Sequence, residues 1–235
     1  MSRLWPALAL AAVIGAATTV PAAASSIQVS PIRVELSADQ PVLAVYVTNN
    51  GSNSLLVQAS VESWTQVGGE DRHAPTRDVL VNPPQFRLAP GEKQILRYGL
   101  VNRQLGSGGI EASYRAFLQE IPETPPVGGA TLQTVLRISI PVFIAPAGGA
   151  KPAGAWSSPA PGVLRYQNTG NVHLQLGKMR VVSGAKTLAT IDVGGYVLAG
   201  QSHDWQLSGL GALPAGAHVV AESDAGAVDQ SVTPP

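Results

Sequence analysis

The sequence predicts an all-β protein made of two sandwich domains. Three observations carry this. Branched apolar residues recur with period two in short runs along the chain, the pattern of half-buried strands. The 25 glycines and 19 prolines fall between those runs rather than in blocks, as in an all-β chain with many turns. Residues 147–154, AGGAKPAG, form a linker by composition and divide a longer first half from a shorter second half.

At 235 residues the chain is long enough for two modest domains. Lysine plus arginine number 15, as do aspartate plus glutamate, and there is no like-charge run or arginine–aromatic stripe, so no nucleic-acid partner is expected. There is no cysteine, which removes thiolate catalysis, disulfides and Cys-based metal sites. Arg3, the apolar run over 4–17 and the small residues Ala22-Ala23-Ala24 read as an export signal. Residues 1–24 are therefore a predicted signal peptide, with a mature start near Ser25. No later stretch is long and apolar enough to span a bilayer, so the mature chain is expected to be exported and not membrane-embedded.

In chain order, residues 27–36, IQVSPIRVEL, read as a strand interrupted by Pro31, hence kinked or at an edge. Residues 41–48 and 54–64 read as two strands. Asn49-Asn50-Gly51 between them reads as a hairpin turn, because Asn and Gly tolerate positive φ. Residues 66–77 are polar and read as a loop. Over 78–100 come two prolines, the pair Phe86 and Leu88, a Pro90-Gly91 turn, and alternation from Gln94 onward. Residues 111–122 are another strand, followed by a Pro/Gly loop.

Residues 131–146, TLQTVLRISIPVFIAP, close the first half with a long strand. Its even positions from Leu132 to Ile144 are almost all apolar. Pro141 has no N–H, so this strand is not expected to be fully paired on both sides. An open apolar edge templates pairing with another chain. Either the fold covers that edge or such pairing is its task. In the second half, 164–167, 173–182, 203–207, 219–222 and 227–232 read as strands, with a turn at Asn168-Thr169-Gly170-Asn171. No internal sequence repeat is evident.

Little in the chain suggests an enzyme. His73, His173, His203 and His218 are scattered without metal-ligand spacing and read as surface or turn histidines. Gly106-Ser107-Gly108-Gly109 lacks a nucleophile frame and reads as a loop. No catalytic residue, metal site or cofactor is expected. Two arginines stand out, Arg33 and Arg137, each in an apolar strand. Such an arginine ordinarily carries its head to water. The other reading is a carboxylate site, which the planar guanidinium fork suits.

An ordered set of motifs resembles the periplasmic pilus-assembly chaperones of the chaperone-usher pathway. NPPQFRLAPGEKQILR resembles their proline-proline, apolar-arginine-leucine, proline-glycine turn. YRAFLQEIP resembles the strand that follows, SPIRV their first strand, and LQTVLRISIPVFIAP their last N-domain strand. NTGNVHLQLGKMRV and the LAGQ stretch resemble, more loosely, the second domain of the archaic or spore-coat-type branch.

The resemblance implies two immunoglobulin-like β-sandwich domains at an angle with an interdomain cleft. The domains would be 25–146 and 155–235, joined by 147–154. About seven strands can be counted in the first, as such a sandwich needs. It implies an ATP-independent periplasmic chaperone that binds fibre subunits lacking one strand. The chaperone fills the gap with Leu132, Thr134, Leu136, Ile138 and Ile140 of its donor strand, then delivers the subunit to an outer-membrane usher. Self-association of the free chain would be another way to cover the edge. An exported structural or adhesive immunoglobulin-like protein, or a fibre component, is the alternative.

In the family an arginine and a lysine hold the subunit's terminal carboxylate. Arg33 matches the arginine, but Pro141 stands at or next to the lysine's place. Three arrangements remain open. Arg33 acts alone, or with a displaced arginine at Arg97 or Arg115, or the carboxylate is not clamped.

Overall fold

A computed structural model describes residues 26–122 and 135–234; the expected signal peptide and the donor positions Leu132 and Thr134 lie outside the described residues. The described residues contain strands and turns and no α-helix. The first sandwich contains β1 (Ile27–Ser30), β2 (Val34–Leu36), β3 (Val42–Asn49), β4 (Leu55–Val67), β5 (Glu70–Pro75), β6 (Val79–Asn82), β7 (Gln85–Leu88), β8 (Lys93–Leu100), β9 (Ala112–Ile121) and β10 (Arg137–Ile144). One sheet runs β1-β3-β8-β6. The other runs β2-β10-β9-β4-β5, with β7 also on β4. Between them lies one core, including Val34, Val45, Leu96, Leu118, Ile140 and Val142.

The second sandwich contains β11 (Gly154–Ser157), β12 (Val163–Asn168), β13 (Leu174–Ser183), β14 (Lys186–Ile191), β15 (Gly195–Val197), β16 (Ser202–Gln206), β17 (His218–Ser223) and β18 (Gly226–Thr233). Its strands close over a core that includes Trp156, Leu164, Met179, Val219 and Trp205. β18 joins the two layers, pairing antiparallel with β17 and then parallel with β11 at Val232 and Thr233. The all-β, two-sandwich expectation holds. β11, β14 and β15 are short or polar and carry too little alternation to be legible in sequence.

Pro31 does more than kink a strand. The chain leaves the first sheet after Ser30 and enters the second at Val34, so β1 pairs antiparallel with β3 while β2 pairs parallel with β10. Pro141 fits the local pairing. β9 flanks β10 from Arg137 to Ile144, but β2 joins the other side only at Val142–Ile144. At Pro141 and before it, β10 is an edge among the described residues.

Two expectations are corrected. Asn49-Asn50-Gly51 is not a hairpin, because β3 and β4 belong to different sheets. The fully buried Asn49 steers the crossing. Its side-chain amide donates to the carbonyls of Asn53 (2.7 Å) and Leu88 (3.1 Å), and its oxygen accepts from the Gly51 N–H (2.9 Å). The residues 66–77 are not a loop. Gly68 and Gly69, both with positive φ, turn β4 into β5 as a true hairpin. Its strand is polar because every residue of β5 is exposed.

Asn168 repeats the Asn49 device in the second sandwich. Its amide donates to the carbonyls of Val172 (2.8 Å) and Val197 (2.9 Å), and its oxygen accepts from the Gly170 N–H (2.9 Å). The two halves thus share a local repeat, Asn-x-Gly at the end of a strand, too short to stand out in sequence. Truncating either asparagine leaves buried carbonyls unpaired. Asn49→Ala and Asn168→Ala are each expected to lose about 2–3 kcal/mol of stability, read by urea denaturation, whereas Asn50→Ala, on an exposed side chain, should lose little.

Candidate functional site at the domain junction

The site is built on one row of the second sheet. Val142 pairs with Val34, so Arg33, one residue earlier, arrives level with Pro141. On the other side of β10, Arg115 is the direct partner of Pro141. Val34, Val142 and Ala116 face the core, so the alternation of strands turns Arg33, Pro141 and Arg115 to the opposite face. That face meets the second domain. Arg33 and Arg115 thus stand on either side of the buried Pro141.

Trp64, Phe143 and Leu198, with Tyr196 against them, form an apolar cluster across the junction. The Arg115 guanidinium lies 3.7 Å from the Trp64 ring centroid and 5.2 Å from that of Tyr196. Arg33 lies 5.9 Å from Tyr196 and the same from Phe143. Both cations therefore share Tyr196 as a wall.

Their charges are compensated differently. Arg33 Nη1 is 3.1 Å from Asp224 Oδ2 and 3.7 Å from Glu35, and Nη2 donates to the Gln175 side-chain oxygen. Arg115 has no ion pair or hydrogen bond from its guanidinium among the described residues. Burial depresses its pKa, and Asp71 and Tyr196 offset this only in part. Arg115 is a half-buried cation on an aromatic face.

A second chain of contacts ties the domains together. Glu111 of the first domain accepts from the His173 backbone N–H at 3.1 Å and meets His173 Nδ1 at 2.8 Å. His173 Nε2 lies 3.1 Å from Asp224 Oδ2 as an ionic contact without a well-aligned hydrogen bond. The imidazole stacks on Phe143, centroids 3.6 Å apart and planes 9° from parallel. Gln66 of β4 adds two bonds, donating to the Tyr196 carbonyl and accepting from the Leu198 N–H, each at 2.9 Å. Beside this chain opens a cavity of about 420 Å³, bounded by Phe143, His173, Asp224, Pro146 and Gly149.

Of the residues singled out in sequence, the structure brings Arg33 and Arg115 together. It separates Arg97, which is exposed on the other sheet, opposite Ala44 and Asn82. Leu136 and Ile138 are half-buried beside the open edge. Ile140 is 2% exposed and lies inside the first domain's own core, so in this state its side chain is not presented to a partner. His173 is not a surface histidine: its side chain is 9% exposed and wedged between the domains. His203 also meets the first domain, with Nδ1 3.1 Å from the Gly69 carbonyl. Nothing in the sequence pairs Glu111, His173 and Asp224, since each stands alone and their meeting depends on how the two domains dock.

Residues 26–150 match the family described as pili and flagellar-assembly chaperone, PapD N-terminal domain. The chain belongs to this family. Its members are chaperones, a class without catalytic activity. The chaperone is 28% identical over 188 residues to the chaperone protein FimB/FhaD of Bordetella pertussis, covering 73% of this chain and 75% of that one. Its fold resembles a chain in the CsuC–CsuE chaperone–tip adhesion subunit complex of the archaic Csu pili of Acinetobacter baumannii. The TM-score is 0.68 at 22% identity, over 88% of this chain and 98% of that one. It also resembles the E. coli chaperone DraB, with a TM-score of 0.64 at 20% identity, over 89% and 97%.

The junction makes the chaperone's stability pH-dependent. Burial opposes charging of His173, but Asp224 and Glu111 outweigh it and raise the pKa. Burial likewise opposes ionisation of Asp224, and His173, the Gln175 N–H and Arg33 outweigh it and lower the pKa. The His173 contribution is full below its ordinary pKa of ~6.5 and is lost as pH rises through the raised value; that of Asp224 is present above ~3.9 and is lost on acidification. The contact is therefore strongest between ~4 and ~6.5. The melting temperature is expected to fall as pH rises from ~6.5 through the raised His173 value. In His173→Gln that slope should flatten.

Proposed function

We propose that this chaperone works in the periplasm, lends the open edge of β10 to a fibre subunit that lacks a strand, and delivers that subunit to an outer-membrane usher. The observation that carries the reading is an edge that ends at two guanidiniums. Among the described residues β10 is unpaired on one side as far as Pro141, and Arg33 and Arg115 stand at that point. A strand laid on this edge gains backbone hydrogen bonds, and alternate side chains fill pockets. Leu136 and Ile138 each contribute roughly 1.5–3 kcal/mol on full burial, much of it offset by ordering and association costs. No nucleotide is needed, because folding of the subunit is itself downhill. The same open edge allows two free chains to pair.

The subunit's terminal carboxylate is held at the Pro141 row, with Arg115 as the principal anchor and Arg33 as the second. Asp224 already neutralises much of Arg33, whereas Arg115 carries the uncompensated charge. Arg115 takes the place of the lysine that Pro141 cannot supply, by reaching over from the neighbouring strand. Charge-assisted hydrogen bonds of this kind contribute about 1.5–3 kcal/mol.

Arg115→Ala is expected to weaken subunit binding roughly 10- to 100-fold with the circular dichroism spectrum unchanged. Arg33→Ala should weaken it less, and wild-type affinity should fall with added salt. Wild-type affinity in folded Arg115→Ala would place the anchor elsewhere. Separately, a soluble Leu136→Ser/Ile138→Ser variant should recover no subunit from the periplasm. Unchanged recovery would reduce the edge to a structural element.

A further inference from the structure

The cavity of about 420 Å³ beside the junction is not used by the anchor. Its volume falls within the range of small-molecule pockets, roughly 300–1,000 Å³. Phe143, Pro146 and Val172 give it apolar walls drawn from both domains. Three carboxylates, Glu35, Glu111 and Asp224, also line it, and His173 is the one lining residue that can carry positive charge. Arg33, outside the lining, lies 3.1 Å from Asp224 and 3.7 Å from Glu35. Three carboxylates against Arg33 and a protonated His173 leave one negative charge over, and a neutral His173 leaves two.

Glu111 shows where that excess is felt. Its side chain is only 5% exposed. Oε1 is taken up by His173, through the backbone N–H at 3.1 Å and Nδ1 at 2.8 Å. Oε2 has no hydrogen-bond partner among the described residues. A carboxylate so nearly buried costs free energy until donors satisfy it. Water can supply a donor, but it leaves the apolar walls wet. Glu111 also borders a smaller cavity of about 290 Å³, where no other carboxylate stands. In the larger one, apolar walls and carboxylates from both domains converge.

We propose that the larger cavity binds a small organic amine in its protonated form. An ammonium has three N–H donors and no acceptor, so it suits a set of carboxylates that lacks a matching cation. It donates to Glu111, and its apolar body lies against Phe143, Pro146 and Val172. Charge-assisted bonds of this kind are stronger than neutral ones. Asp224 and Glu35 add attraction without leaving Arg33. One face of the Phe143 ring is already covered by the His173 imidazole, so the ring serves as an apolar wall. A bound amine touches both domains and therefore stabilises the docked arrangement.

Benzylamine, benzyl alcohol and benzoate present one apolar body with three charges. Each is titrated calorimetrically into the purified chaperone at neutral pH and low salt. Benzylamine should bind at one site and raise the melting temperature with concentration. Benzyl alcohol should bind at least roughly 10-fold more weakly, and benzoate should not bind. Ala225 is an exposed turn residue that lines the cavity, and Ala225→Trp should abolish benzylamine binding. Glu111→Gln should weaken it at least roughly 10-fold. That variant also disturbs the His173 contact, so Glu35→Gln, on an exposed side chain, provides an independent reading with a loss of about 2- to 3-fold. Equal affinity for benzylamine and benzyl alcohol would overturn the recognition of charge. Unchanged benzylamine binding in folded Ala225→Trp would put the site elsewhere, and no binding by the wild type would remove the proposal. None of these outcomes touches the anchor, because Arg115 does not line this cavity.

Discussion

The site depends on how late β2 joins β10. The chain crosses between sheets after Ser30, and only three residues, Val34 to Leu36, remain to pair with Val142 to Ile144. Had the crossing come earlier, β2 would cover the edge back to Arg137 and nothing would be left to offer a partner. Had it come later, Arg33 would not stand level with Pro141. A short strand thus sets both the length of the open edge and the position of the charge at its end. In the proposed reading the partner strand and β2 would share one slot, with Arg33 at the boundary between them.

The second domain completes this arrangement rather than merely adjoining it. Asp224 reaches both Arg33 and His173, His173 reaches Glu111, and the Phe143 ring stacks on the imidazole. A charge that is half-buried costs free energy unless it is paired. Arg33 is paired from within, and Arg115 is left with aromatic faces alone. In the proposed reading the asymmetry gives the two arginines different work: one helps hold the domains together and the other takes the subunit's carboxylate.

Much of the fold was legible because its main signals are local. Alternation marked the long strands, and the missing N–H of Pro141 agrees with the one-sided pairing at that residue among the described residues. The family motifs, spread across the first domain, marked its order. What sequence misread were features decided by distant partners. Asn49-Asn50-Gly51 has hairpin chemistry, but the buried carbonyls of Leu88 and Asn53 recruit the asparagine to a crossing between sheets. β5 lacks alternation because neither of its faces is buried. Arg33 stood out in the sequence as a candidate, and Arg115 stood level with Arg97 until the strand register set it opposite Pro141. His173 gave no sign of its burial, since the groups that enclose it come from three separate segments.

The pairing of Val34 with Val142 has a consequence for how the molecule is made. The two positions are far apart in the chain, and closing so long a loop carries an entropic cost that delays such contacts. The antiparallel neighbours β9 and β10 are much closer in sequence and can meet first. While β2 is still undocked, β10 lacks its outer strand along its whole length, and Arg33 has not yet reached the Pro141 row. A nascent first domain in that state is itself a sandwich with a missing edge strand. If β2 docks last, the folding chaperone passes through the kind of incompleteness that it is proposed to relieve in others, and another copy's strand is the hazard until its own arrives.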